Sequence, residues 1–146
     1  MLAENGEIKA SDHTRNGIDE EGISSYSRRL YERYSKYLRH CVICGNPFVD
    51  RHHIVPKEMF GQDIEENIDY LCSNHHRIVH FLLDAEMQKD KMDKRPKEQQ
   101  NRYLALYWWI LRNERDAVDY FENKMKPMIL KRLYEVKRES EKRMER

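Results

Sequence analysis

Cys41-Val42-Ile43-Cys44, Asp50-Arg51-His52-His53-Ile54-Val55-Pro56, Asn67 and Leu71-Cys72-Ser73-Asn74-His75-His76-Arg77-Ile78-Val79-His80 all lie within residues 41–80, and their reading decides the fold. Cys41 and Cys44 are two residues apart, and so are Cys72 and His75. Each pair can grip one side of a tetrahedral Zn²⁺ from a tight turn. The chain has three cysteines, and all of them fall in this pattern, so none is left for a disulfide framework. That usage fits a Cys3His structural zinc site in a reducing compartment. His40 and His76 compete with His75 for the fourth position, and His75 is preferred because it repeats the spacer of the opposite pair.

The segment from Gly45 to Leu71 is then a loop closed at both ends by metal, which can be rigid without a large core of its own. Inside it, Phe48, Val49, Ile54 and Val55 flank His52 and His53 in a short apolar, β-branched run ended by Pro56, the pattern of a strand or hairpin arm. Neighbours on a strand point to opposite faces, so His52 and His53 cannot serve as equal partners in one role. After Cys72, Ser73 is the expected N-cap of a short helix whose apolar stripe is Ile78, Val79, Leu82 and Leu83. His76 and His80 are i,i+4 neighbours on one face of that helix. The order is strand, loop, strand, helix, with imidazoles facing each other across it.

These residues resemble the HNH endonucleases, whose ββα-metal core carries a His-His pair before Ile-x-Pro, a central Asn and a helical ending rich in histidine. The resemblance runs from about Cys41 to His80. It implies that His52 and His76 bind the catalytic divalent ion, that His53 is the general base, and that Asn67 orients that base or its loop. It makes His80 a third ligand or a contact to the scissile phosphate. The chain departs from the family pattern twice. The second zinc pair is Cys-x2-His where Cys-x2-Cys is usual, and Phe60-Gly61 stands where many members have two glycines.

The chemistry is coherent on its own terms. Phosphodiester hydrolysis needs a water deprotonated near neutral pH, and a metal-free imidazole, with an ordinary pKa of about 6.5, suits that task. A divalent ion held by imidazoles stabilises charge on the phosphorane and the leaving oxygen. With no carboxylate in the proposed ligand set, Mn²⁺, Ni²⁺, Co²⁺ or Zn²⁺ should serve as well as Mg²⁺ or better. Asp50 is the nearest acid able to act behind a ligand. His13 and His40, outside the cluster, read as ordinary surface or satisfied histidines.

Composition sets the outer bounds. The chain has 146 residues, 36% of them charged, with a formal net charge of +1, so it is too polar for one deep core and must place its basic groups locally to hold nucleic acid. Neither a bilayer-spanning run nor a signal-peptide core is seen, and the expectation is a soluble, cytoplasmic protein. Residues 1–24 read as a flexible acidic tail. Residues 25–84 read as the nuclease domain, preceded by a basic helix from Ser25 to Arg39 whose tyrosines either pack or flank phosphates. Residues 85–146 read as a linker and a helical extension.

In that extension, Asp84–Gln100 is expected to be a charged connector with Pro96 opening the next helix. An apolar band follows around Tyr103–Leu111, then a second stretch around Ala117–Met125, and Pro127 should kink or divide the helices. The apolar faces exceed what a small zinc unit covers, which leaves a helical hairpin or a homodimer through the C-terminal helices, with the balance on the dimer. The expected class is α+β: a small zinc-stabilised ββα-metal core with N- and C-terminal helices. The expected activity is DNA phosphodiester hydrolysis, nicking or double-strand, with structural Zn²⁺ and one catalytic divalent ion (Mg²⁺, Mn²⁺, Ni²⁺ or Zn²⁺). Compactness points by analogy to a phage or prophage setting, such as packaging. The rival reading is a non-catalytic zinc module for nucleic acid or protein, and an RNA-directed nuclease is a third.

Overall fold

A computed structural model describes residues 21–145 of the chain. The tail read over 1–24 falls largely outside these residues, and His13 falls outside them altogether. The chain divides into two units, Met1–Leu38 and Arg39–Arg146. In the first, helix α1 (Ser25–Tyr34) starts where the Ser24 hydroxyl accepts the Ser27 N–H, the usual way to satisfy a free N-terminal donor. It gives way to a 3-10 turn, Ser35–Tyr37, so the regular helix is shorter than the basic, tyrosine-rich pattern suggested. None of the α1 residues is buried.

The second unit is built on an antiparallel hairpin. Strand β1 (Val49–His53) pairs with β2 (Ile68–Cys72) so that His52 faces Asp69 and His53 faces Ile68. Helix α2 (Ser73–Met87) follows β2 without a linker. Its cap differs from expectation: the Cys72 sulfur, not Ser73, accepts the His75 N–H at 3.4 Å. The same sulfur belongs to the group Cys41, Cys44, Cys72 and His75, which could hold a metal ion, so the cap and the clamp share one atom. Ile78, Val79, Leu82 and Leu83 are buried as their spacing predicts, and they close one core with Ile54 and Leu71 of the hairpin.

The remaining chain is more helical than a connector would be. Helix α2 runs on to Met87, 3-10 turns occupy Lys89–Lys94, and α3 (Lys97–Asn113) begins directly after Pro96. Next come α4 (Arg115–Tyr120), a π-helical turn (Phe121–Met125) and α5 (Lys126–Met144). Pro127 stands in the first turn of α5. It has no N–H to return to the residue four before it, and the wide π turn ahead of it is how the helix passes the proline without stopping. Ala117, Val118, Phe121, Met125 and Ile129 join the hairpin core. Of the α3 band only Ile110 is buried, whereas Leu104, Leu106, Trp108 and Trp109 are exposed. Among the described residues no helix is long and apolar enough to cross a membrane.

Candidate active site

The first cluster gathers Cys41, Cys44, Cys72 and His75. Cys41 and Cys44 sit on a turn closed by the Gly45 N–H donating to the Cys41 carbonyl at 2.8 Å, with Gly45 at φ +81°. The Val42 N–H donates to the Tyr70 carbonyl and docks this turn against β2. Zinc bond lengths of about 2.3 Å to sulfur and about 2.05 Å to nitrogen imply tetrahedral edges of about 3.8 Å (S···S) and about 3.6 Å (S···N). The separations here are 3.8 Å between the Cys44 and Cys72 sulfurs, and 3.6 and 3.4 Å from His75 Nδ1 to the Cys41 and Cys72 sulfurs. The donor set therefore fits a zinc ion in chemistry and in size.

Burial pushes the Cys41 thiol up. Backbone N–H groups of Cys72, Cys44 and Ile43, with the His75 ring, more than offset it and leave the thiol lowered to about 6. That favours the thiolate a metal needs. The other ring nitrogen of His75, Nε2, lies 3.2 Å from the Glu114 carboxylate, which can fix the tautomer that turns Nδ1 to the sulfurs. His40 joins neither metal-sized cluster.

The second cluster is His52, His76 and His80, with ligand atoms all within 4.8 Å of one another. His52 comes from β1, and the other two come from consecutive turns of α2. The His76 and His80 ring centroids are 4.8 Å apart, and those of His52 lie 5.1 and 5.4 Å from them. His52 is 1% exposed, and neither of its ring nitrogens has a hydrogen-bond partner. A buried polar group left unpaired costs about 1–3 kcal/mol, unless a ligand takes the lone pair. Burial, then the neighbouring His76 and His80, lowers His52 to about 3, so the ring is neutral and its lone pair is available. His80 is also lowered, by burial and by His76. Asp50 lies 3.3 Å from His76 Nδ1, the backing carboxylate expected behind a ligating imidazole.

Residues 41–81 match the model of the HNH endonuclease family. A curated relative, the type IV methyl-directed restriction enzyme EcoKMcrA of Escherichia coli (strain K12), is 29% identical over 73 residues, which cover 50% of this chain and 26% of the relative. The chain thus spans about a quarter of that relative's length. No solved structure matches. The match and the relative support nuclease activity at the level of the family.

Within the HNH segment, His53 does not enter the three-imidazole cluster. It alternates to the other side of β1, where its Nε2 lies 3.1 Å from the Asp63 carboxylate. Asn67 is buried and its side chain is spent on backbone. Its Oδ1 accepts the Val55 N–H at 2.9 Å, and its Nδ2 donates to the Val55 and Gln62 carbonyls at 3.0 and 2.8 Å. Asn67 braces the loop that follows His53. It makes no hydrogen bond to the His53 ring.

That loop is tight. Phe60 adopts φ +67°, and a Cβ on Gly61 would stand 1.7 Å from the Val55 carbonyl oxygen. Only glycine fits at 61, while at 60 the left-handed turn is made by a residue that resists it.

Several side chains packed against these histidines and the hairpin had no signal in the local sequence. Glu114 and Asp63 are distant acids with no motif around them. Tyr120 donates to Asp69 at 2.8 Å and Lys124 pairs with the same carboxylate oxygen, so the C-terminal helices wall the hairpin beside His52, whose ring centroid is 6.3 Å from that of Tyr120. Burial, with Asp69 beside it, pushes the Tyr120 hydroxyl well above its ordinary range, leaving it a neutral donor.

Proposed function

We propose that this chain is a metal-dependent DNA endonuclease. In this reading Cys41, Cys44, Cys72 and His75 hold a structural zinc ion, and His52, His76 and His80 hold one catalytic divalent ion. The observation that carries the proposal is His52: a buried imidazole, neutral and with both nitrogens unpartnered, facing two further imidazoles. A zinc module alone has no use for such a group. A divalent ion there supplies Lewis-acid stabilisation of the phosphorane and the leaving oxygen.

The chain supplies the rest. His53, outside the metal cluster, takes the proton of the attacking water. Asn67 holds the loop after His53 in place through backbone, and Asp50 orients His76. The grouping of all three rings favours His80 as a ligand over a phosphate contact. An all-imidazole set favours Mn²⁺, Ni²⁺, Co²⁺ or Zn²⁺ over Mg²⁺. Among the settings that use this core, restriction has the support of the curated relative's name, whereas a phage setting rests on compact size alone. The exposed Trp108 and Trp109 on α3, with Leu130 and Tyr134 on α5, are compatible with a dimer that would present two sites to opposite strands.

The test is cleavage of supercoiled plasmid by wild type and His53→Ala across Mg²⁺, Mn²⁺, Ni²⁺ and Zn²⁺, with an EDTA control. Metal-dependent nicking or linearisation, lost in His53→Ala with zinc content unchanged, is expected. A folded, zinc-containing wild type that cuts with no metal contradicts the proposal, and cleavage of RNA but not plasmid redirects it.

A further inference from the structure

Arg51 and His53 are i,i+2 neighbours on β1 and therefore project from the same side of the strand, the side away from His52. One oxygen of one carboxylate meets both of them. Asp63 Oδ1 lies 2.8 Å from the Arg51 guanidinium and 3.1 Å from His53 Nε2. Asp63 belongs to the loop that Asn67 braces, through the Gln62 carbonyl next to it in the chain. Arg51 stands opposite Tyr70 in the hairpin, and Arg39 lies over the Tyr70 ring at 4.4 Å. Hydrogen bonds from Arg51 and then His53 hold Asp63 below the usual carboxylate range, so it is an anion and an acceptor only.

We propose that Asp63 is a positioning residue for the reaction: by accepting Nε2–H of His53 while anchored by Arg51, it fixes the imidazole tautomer whose Nδ1 lone pair faces substrate. The inference rests on the reading of His53 as general base. Two physical points support it. A neutral imidazole has one donor and one acceptor nitrogen, and a carboxylate at Nε2 can be matched only by the tautomer with the proton there. An unsupported ring on a half-exposed strand samples both tautomers and both flips, and only a fraction of these aim a lone pair at the water. Asp63 thus does for the base what Glu114 does for His75 and Asp50 for His76. Each of the three is an acid from another segment backing a named imidazole.

The experiment uses the full chain loaded with zinc and compares wild type, Asp63→Ala and Asp63→Glu. Long-range ¹H–¹⁵N correlation spectra of the imidazoles, with the His53 signals assigned from their loss in His53→Ala, should show one protonated nitrogen, Nε2, in wild type. Asp63→Ala should show a tautomer mixture, and Asp63→Glu should restore the wild-type pattern. In single-turnover cleavage of a labelled duplex, Asp63→Ala should lose about 10- to 100-fold in rate, the span typical of lost carboxylate support behind a functional imidazole. Its half-saturating DNA concentration should stay within about twofold, since no transition-state-independent contact is lost.

An unchanged tautomer in Asp63→Ala overturns the proposal. So does weaker DNA binding at an unchanged rate, which would make Asp63 and Arg51 part of the binding surface. If His53→Ala itself still cuts, the base assignment fails while the spectra still decide whether Asp63 sets the tautomer. Should Asp63→Ala lose its zinc or its fold, a failure of Asp63→Glu to restore the wild-type spectrum would refute the proposal.

Discussion

Replacing Asn67 with alanine should damage the fold before it damages the chemistry. The side chain makes three hydrogen bonds, all to backbone, between 2.8 and 3.0 Å, and it is 5% exposed. At about 1 kcal/mol net for each, with a further penalty of about 1–3 kcal/mol for the buried Val55 N–H left without an acceptor, the loss comes to about 4–6 kcal/mol. Domains of this size have about 5–15 kcal/mol in total, so the variant should be close to unfolding at 37 °C.

Asn67→Asp sharpens the test. It keeps an acceptor for Val55 but turns an oxygen towards two carbonyl oxygens where an N–H₂ had donated, and it should cost at least as much. Urea unfolding of zinc-saturated protein, followed by circular dichroism, reads both. A change below about 1 kcal/mol in either variant, with cleavage abolished, would refute the loop-brace reasoning and leave orientation of the base as the role of Asn67.

Other consequences are smaller or more local. Phe60→Gly should stabilise the chain by about 1 kcal/mol, because it relieves a left-handed backbone, and should raise the melting temperature by about 2–4 °C; no change would mean that the Phe60 ring contributes as much as its backbone costs. Glu114→Ala should weaken zinc about 10- to 100-fold by removing support from His75, read by competition with a chromophoric chelator at pH 7. Cys72→Ala, which removes a sulfur of the Cys3His cluster and the cap of α2 together, should leave the second unit unfolded in far-UV circular dichroism even with zinc added.

The pH dependence of stability also has a defined sign. Burial lowers His52 in the folded chain to about 3 from an ordinary 6.5. The unfolded chain takes that proton first as the pH falls, so its contribution is intact above pH 6.5 and is lost as the pH drops towards 3, by up to about 1.4 kcal/mol per unit. His52→Leu should lack this component when zinc-loaded protein free of the second ion is unfolded across pH 7 to 5. Equal slopes for the two proteins would contradict it.

The metal clamp, the hairpin and the pairing of His76 with His80 were legible because each depends on local periodicity. Two-residue spacers bring sulfurs together on a turn, alternation separates His52 from His53, and an i,i+4 step stacks two imidazoles. Even so, the cap of α2 was misread, since Cys72 does what Ser73 was expected to do, and spacing carries no information on whether a sulfur of a metal-sized cluster also accepts a helix N–H. Asp63, Glu114 and Lys124 were invisible for another reason. An acid or amine in a charged stretch has no periodic signature, and its importance arises only when tertiary packing carries it to an imidazole or to Asp69. The α3 band was legible as helix and as part of an apolar surplus that a small zinc unit does not cover, but not residue by residue: helical spacing does not say that Ile110 is buried while Trp108 and Trp109 stay exposed. Phe60 was noticed as a departure from a two-glycine pattern, and the backbone supplies its meaning, a φ of +67°.

At the centre of the proposal stand two metal sites interleaved within residues 41–80, Cys41, Cys44, Cys72 and His75 to hold the hairpin and His52, His76 and His80 to cut. The most direct measurement is the rate of supercoiled plasmid nicking against added Mn²⁺ or Ni²⁺, for zinc-saturated wild type and His80→Ala side by side, with zinc content measured in the same samples. Wild type should show a saturable metal requirement, lost or moved to at least about tenfold higher metal in His80→Ala, with zinc unchanged in both. Nicking by His80→Ala with the wild-type metal dependence would contradict it.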